Sequence, residues 1–388
     1  MSAAAVAVDG GDLTLSGGLL ALVRPALLSM APGGVLALRS SSPGVRQDLP
    51  SWCRMERHEY LGCEPQPDGR DRHLIRRGAF GVPRPTFAGV ADADPHTGFA
   101  PAGALVEPGG PPYPVTLTHR DLALPPETRV LYDQAVAAQW DVADLAWDRV
   151  RPLPPAVESA LVQIMTFLAE NELSALYVPS KFVARLHPAF AETAMFLATQ
   201  LMDEARHIDV FLRRAGGARG VSSVTTARSL LALLQLEDFT EAAFLLSVLG
   251  EGTFLDLLRF IEVHAPDEVT ADLARRTRAD EARHVHFGIA HVRHVLSVDP
   301  PAAGRLEAAV RRRAAALAGI NGVPAPIQDA LTILAAGGDE PARLNRGHEA
   351  FQQLLADMHE GRLKRLLHAG FTPAQAQVLS DLHTPNFM

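Results

Sequence analysis

The chain has 388 residues, 47% of them hydrophobic and 21% charged, with a formal net charge of −8. That length suits one large or two smaller globular cores, and the acidic balance argues against the clustered basic surface a nucleic-acid partner needs. No apolar run is long enough to span a bilayer and Met1-Ser2-Ala3-Ala4 lacks the basic-then-apolar order of a signal peptide, so a cytoplasmic protein with no membrane partner is expected.

Residues 1–79 alternate β-type runs with helix-like segments. Strands are expected over Val6 to Leu15, Val35 to Arg39, Met55 to Cys63 and His73 to Arg77, with helices near Leu19 to Met30 and Gly44 to Cys53, a two-layer β-α-β-α-β-β order. Cys53 and Cys63 are too few for a disulfide scaffold and read as reduced thiols. From Gly78 the chain is dense in Gly and Pro, including Pro83, Pro85, Pro101, Gly109, Gly110, Pro111 and Pro112, so residues 80–126 read as a linker. Everything after Pro126 has helical periodicity, broken at Pro154-Pro155, His187-Pro188, Gly216-Gly217, Pro266, Pro300-Pro301 and Gly322 to Pro324. The fold class is therefore α+β followed by all-α, with a helical bundle over 127–298 and a helical extension over 299–388. The Arg311-Arg312-Arg313 run reads as a solvated helix face.

Four long helices are expected in the bundle. The first, from Pro154 to beyond Tyr177, has Val157, Leu161, Ile164, Leu168 and Leu176 on one stripe with Glu172 close to it; the second, from Pro188 to Ala215, carries Glu204 and His207. The third, from Ser222 to His264 with an interruption, carries Glu251, and the fourth, from Asp267 to Leu296, carries Glu281 and His284. Asp-Glu-Ala-Arg-His occurs twice, at 203–207 and 280–284. Glu and His at i, i+3 share one helix face, so each copy offers a cation one carboxylate and one imidazole. An acid on a core-facing stripe needs a compensating cation or hydrogen bonds, and Glu172, Glu204, Glu251 and Glu281 all lie on or beside such stripes. Two metal ions would offset four carboxylates. A set rich in Glu with two His suits iron, or manganese with iron, better than zinc. Glu170 and Glu241 are the alternatives to Glu172 and Glu251 if the helix phase differs.

These segments, with Gln139-Trp140-Asp141-Val142-Ala143-Asp144, Asn171-Glu172 and Glu251-Gly252, resemble the ferritin-like di-iron carboxylate superfamily, in the branch of ribonucleotide reductase small subunits, bacterial multicomponent monooxygenases and ligand-binding oxidases. The resemblance covers about Gln139 to Leu296 and implies a four-helix bundle with extra C-terminal helices. It implies Glu172, Glu204 and His207 as one half of the ligand set, and Glu251, Glu281 and His284 as the other. By the same analogy Asp280 orients His207, Asp203 orients His284, and Arg206 and Arg283 neutralise these acids. His286, His291 and His294 are expected at the surface or just outside the ligands.

The pattern departs from some of these relatives. Phe211 stands where radical-storing subunits have Tyr, and the chain ends in Asn386-Phe387-Met388 without a Tyr-bearing tail. Thr277 stands where certain di-iron N-oxygenases have a third His, and the length argues against iron storage. What remains is O₂ activation to oxidise a small organic substrate by hydroxylation, desaturation or N-oxygenation, as in secondary metabolism. Thr253, Leu255, Leu173 and Leu176 are the expected pocket lining. No nicotinamide or flavin fingerprint is visible, which implies a separate ferredoxin or flavin reductase as electron donor; a homodimer is a further option. The alternatives are a non-enzymatic adaptor with a structural di-metal site, or a ferroxidase.

The first 79 residues, through Met30-Ala31-Pro32-Gly33-Gly34-Val35-Leu36, Arg46 to Cys53 and Glu59-Tyr60-Leu61-Gly62, look like the small TusA-like sulfur-carrier family. The carrier Cys position is Ser16 here and the Cys-Pro-x-Pro motif is missing, so the resemblance implies a degenerate, docking or scaffolding module.

Overall fold

The computed structural model describes residues 6–79, 82–83, 92–101, 103–123, 125–317 and 323–382. Met1 to Ala4, Pro85, Gly322 and Asn386 to Met388, each given a reading above, lie outside them. The chain divides into two compact units, one of residues 1–88 and 94–113, the other of 89–93 and 114–388. The boundaries between the two units fall within the stretch 80–126.

The first unit is built on a four-stranded sheet of order β1-β2-β4-β3, with β1 Val6–Asp9, β2 Val35–Ser40, β3 Glu59–Pro65 and β4 Asp71–Arg76. β1 and β2 run parallel because α1, Leu20–Leu28, crosses between them; β4 is antiparallel to both β2 and β3. α2, Pro43–Met55, buries Val45, Leu49, Trp52 and Cys53, the i, i+4, i+7, i+8 spacing of one helix face, against Leu36, Leu38 and Ile75 of the sheet. Two expected strands are shorter or later than the periodicity suggests. β1 stops at Asp9, whose Oδ1 accepts from Gly11 N at 3.0 Å in a turn, and Met55 belongs to α2. A short pair, β5 Val82–Pro83 and β6 Leu105–Val106, completes this unit's strands among the described residues.

Among the described residues the elements of the second unit are all helices, apart from the isolated bridges Asp92–His119 and Leu117–Leu186. It enters through α3 Arg120–Ala123 and α4 Thr128–Ala137 and then forms α5 Pro155–Val183, α6 Ala191–Arg214, α7 Val224–Leu234 and α8 Phe239–Ala243. A π-helical segment, Phe244–Glu251, runs directly into α9 Gly252–Val263, followed by α10 Glu268–Val298. α11 Ala302–Ala316, α12 Ala325–Ala336, α13 Pro341–His368 and α14 Pro373–Leu382 follow. One apolar core joins Leu161, Ile164 and Leu168 of α5 to Phe211, Leu258, Leu331 and Phe351, so α12 and α13 pack against the bundle. α10 begins at Asp267, whose side chain caps Thr270 N at 2.7 Å and accepts from the buried Arg214 at 2.8 Å. Gly288 permits close approach of α10 to the π segment, since a Cβ there would meet Ser247 Cβ at 2.6 Å.

Arg313 departs from the solvated reading of its run. It is buried and donates to Ser229 O at 3.1 Å and Ser229 Oγ at 2.7 Å, while Arg311 and Arg312 stay exposed on Glu307 and Glu241. Among the described residues no helix is long and apolar enough to cross a membrane.

Candidate metal centre

Four helical segments bring six side chains together inside the second unit. α5 presents Glu172, α6 presents Glu204 and His207, the π segment ends on Glu251, and α10 presents Glu281 and His284; none is more than 5% exposed. Glu172, Glu204, His207 and Glu281 offer ligand atoms that all lie within 4.8 Å of one another, and so do Glu204, Glu251, Glu281 and His284. Glu204 and Glu281 belong to both groups. They therefore stand between two adjoining positions, each flanked by one more Glu and one His.

The imidazoles are oriented alike. His207 Nδ1 lies 3.3 Å from Glu204 Oε2 and 3.2 Å from Glu281 Oε1, and His284 Nδ1 lies 3.0 Å from Glu204 Oε1 and 3.3 Å from Glu281 Oε2. Each Nε2 points the other way and donates to the Asp of the opposite motif: His207 to Asp280 Oδ2 at 3.1 Å, His284 to Asp203 Oδ2 at 3.2 Å. Arg206 donates to Asp203 and, at 3.0 Å, to Asp280; Arg283 donates to Asp280 and, at 3.3 Å, to Asp203. Two buried acids are thus shared by two guanidinium groups and two rings, so the site's outer layer carries its own charge balance.

The inner layer does not. Burial raises Glu172 and Glu251 well above the usual carboxylate range, and the neighbouring Glu204 and Glu281 add to it. Burial also works against a charge on Glu204, but His284 and His207 hold it below its ordinary value. Both imidazoles are driven well above theirs, against their own burial, by Asp280, Glu204 and Glu281 around His207 and by Glu281, Glu204 and Asp203 around His284. The packed carboxylates thus favour a positive charge at each ring. Glu172 Oε1 and Glu251 Oε2 remain buried without a hydrogen-bond partner, at an energetic cost that a cation would remove. Oxygen donors with two nitrogens and no thiolate fit iron or manganese.

Glu170 and Glu241 lie elsewhere: Glu170 accepts from Ser222 Oγ at 2.7 Å and Glu241 pairs with Arg312 at 2.8 Å. Three supporting side chains had no assigned role in the sequence. Gln139 Nε2 donates to Asp203 Oδ1 at 3.1 Å, Trp140 Nε1 donates to Asp280 Oδ2 at 2.7 Å, and Gln200 Nε2 donates to Glu251 Oε1 at 3.0 Å. Gln200 is four residues before Glu204, on the same helix face, and that spacing was the available signal.

The expected pocket lining is corrected. A cavity of ≈ 20 Å³ adjoins Glu172, Glu251 and Glu281 and is bounded by Ala175, Leu246, Gly250 and Phe254. Leu173 is 40% exposed, Leu176 and Leu255 are only half-buried, and the Thr253 hydroxyl donates to Leu249 O at 2.7 Å within its helix. The cavity has room for about one water, so a larger ligand requires side-chain movement. A cleft of ≈ 580 Å³ between α9 and α13 is lined by Asp256, Arg259, Phe260 and Lys364 and includes none of the six residues.

Of the three further histidines, His286 is exposed and His294 approaches Asp121 at 3.3 Å, but His291 is a core residue. It stacks on Phe287 and bonds the Thr240 hydroxyl at 3.1 Å, and burial, helped by His294, depresses its pKa to about 3. Unfolded, it takes up a proton below about pH 6.5. Its contribution is therefore full above that pH and is lost as pH falls toward 3. In urea titrations the stability difference between wild type and His291→Gln should shrink by about 1 kcal/mol between pH 7 and pH 5.5.

Fold and cluster together define a ferritin-like bundle with a buried carboxylate–imidazole set suited to two cations. Solved structures of R2-like ligand-binding oxidases share this fold. A single-substitution variant with an aerobically reconstituted Mn/Fe cofactor matches with a TM-score of 0.50 at 20% identity, over 62% of this chain and 93% of that chain. A second such variant gives 0.50 at 20% identity over 62% and 92%. A third, with an anaerobically reconstituted Mn/Fe cofactor, gives 0.50 at 20% over 62% and 93%. No protein-family model and no curated protein matches the chain.

Proposed function

We propose that Glu172, Glu204, His207, Glu251, Glu281 and His284 hold two metal ions, Fe/Fe or Mn/Fe, and that the protein is a di-metal oxidoreductase using O₂ to oxidise a small organic molecule. The observation that carries this reading is the pair of buried ligand groups sharing Glu204 and Glu281. Its support includes the Mn/Fe cofactors of the R2-like ligand-binding oxidases. When bound, such a metal pair supplies the electrons that O₂ takes up.

The chain's own residues do the rest. Glu204 and Glu281, which belong to both groups, would serve both metal positions, Glu172 and Glu251 would each serve one, and each His would offer Nδ1 while its Asp fixes the ring through Nε2. Ala175, Leu246 and Phe254 give the cavity beside Glu172 and Glu251 an apolar wall. The buried Phe211, 6.4 Å from the His207 ring, offers no phenol to store a radical, which favours direct substrate oxidation. Hydroxylation and desaturation fit better than N-oxygenation because Thr277 supplies no third imidazole. Electrons come from a separate ferredoxin or flavin reductase. The first unit, TusA-like with an exposed Ser16 at the carrier position, serves for docking; burial pushes the Cys53 thiol up to about 12, away from the thiolate a sulfur carrier needs.

Anaerobic loading with ferrous iron, followed by oxygen-electrode measurement on admission of O₂, tests the reading. The expected result is oxygen uptake in proportion to bound iron, faster with an oxidisable substrate. Tightly bound metal with no oxygen uptake favours the adaptor, and uptake that turns over excess iron regardless of organic substrate favours a ferroxidase.

A further inference from the structure

A second group of ligand-type side chains lies in the first unit, apart from anything used above. Cys63 of β3 pairs directly with His73 of β4 in the antiparallel register, and Asp71 lies two residues before His73, so all three side chains share one face of the sheet. A bulge adds Tyr60 to that face. The register passes from Tyr60/Ile75 to Gly62/Leu74, leaving Leu61 as the extra residue, and Gly62 takes a φ of 139° that a side chain would resist. Without the inserted residue, positions 60 and 63 would point to opposite faces.

Cys63, Asp71 and His73 offer ligand atoms within 4.8 Å of one another. His73 is fully buried, its Nδ1 is 3.0 Å from the Tyr60 hydroxyl, and its Nε2 is buried with no hydrogen-bond partner. A metal-binding imidazole commonly has its other nitrogen held by a hydrogen bond, the part the Tyr60 hydroxyl plays for His73 Nδ1, which leaves Nε2 as the nitrogen for an ion. Asp71 is held by Arg46 at 2.6 and 3.0 Å, and each carboxylate oxygen keeps a second lone pair. Arg46 is more than half exposed and can turn to solvent as a cation takes over the charge on Asp71.

We propose that Cys63, His73 and Asp71 form a binding site for one borderline divalent cation of the zinc type, with the fourth position open to water and Tyr60 orienting the His73 ring. One sulfur, one nitrogen and one oxygen suit tetrahedral zinc, and differ from the sulfur-free cluster in the bundle. Binding releases the Cys63 thiol proton.

That difference supplies the test, because a near-ultraviolet sulfur-to-cobalt charge-transfer band arises only from a thiolate ligand. Titration of the full chain with Co²⁺ should give this band, saturating at about one equivalent of sulfur-bound metal, and excess Zn²⁺ should abolish it. Cys63→Ser should remove the band and Cys53→Ser should retain it. Tyr60→Phe should weaken binding by about tenfold to a hundredfold while the band keeps its shape. Wild-type protein without the band, or a band surviving in Cys63→Ser, overturns the proposal. Zn²⁺ should also slow alkylation of Cys63 in wild type, read by mass spectrometry at that residue; unchanged alkylation overturns it without requiring any variant to fold. All these readings are independent of the bundle's metals, since no cysteine lies in the second unit.

Discussion

Glu204→Ala should reduce iron loading from about two equivalents to below half of one, measured by metal analysis after anaerobic reconstitution and desalting, while far-ultraviolet circular dichroism keeps its helical amplitude. Glu204 is one of the two carboxylates common to both ligand groups, so its loss takes an oxygen donor from each position at once. The helices should persist because the core around Leu161, Phe211, Leu258 and Leu331 does not depend on this side chain. With one acid gone, His207 and His284 lose part of what raises their pKa and can shed protons rather than remain as buried cations. Glu170→Ala is the matched control, since Glu170 bonds only Ser222 among the described partners and should load normally. Full loading of Glu204→Ala would mean that the ligand set is wrong.

Asp280→Ala should act on stability as well as on the metals. Asp280 is 1% exposed and accepts from Trp140, His207, Arg206 and Arg283. Removing it takes the one acceptor from the Trp140 indole N–H and leaves the two guanidinium groups, in a largely buried site, with Asp203 as their one remaining carboxylate beside the neutral acceptors Gln139 Oε1 and Ala279 O. Breaking a buried pair in this way costs about 3–5 kcal/mol. Metal-free protein should show the loss in urea titration, and the surviving folded fraction should bind iron about tenfold to a hundredfold more weakly because the His207 ring has lost its anchor. Trp140→Phe removes only one donor and should cost far less, which separates the charge effect from simple loosening of the neighbourhood.

The two Asp-Glu-Ala-Arg-His segments were legible because their spacing matches the helical repeat and each lies between buried apolar residues, such as Phe196 and Phe211 around the first. Glu172 could be placed close to its stripe but its neighbours could not: Leu173, one residue on, is turned about 100° away and exposed, whereas Ala175 faces the cavity. The stretch Phe244–Glu251 is buried at every position and has no polar face from which to read a period, so its π-helical winding left no trace in the residue pattern. Trp140 and Gln139 reach across 140 and 64 positions of sequence, a pairing that only the packed helices create. The polarity of His291 gives no sign that it occupies an aromatic core position against Phe287.

The crossed bonds from His207 to Asp280 and from His284 to Asp203 tie α6 to α10 at matching depths. Sliding one rod past the other by a turn, about 5.4 Å, would break both ties together, leaving no intermediate notch in which one survives. Neither half of the repeat is self-sufficient: each segment completes the other, so the pair works as a two-key lock that admits a single alignment.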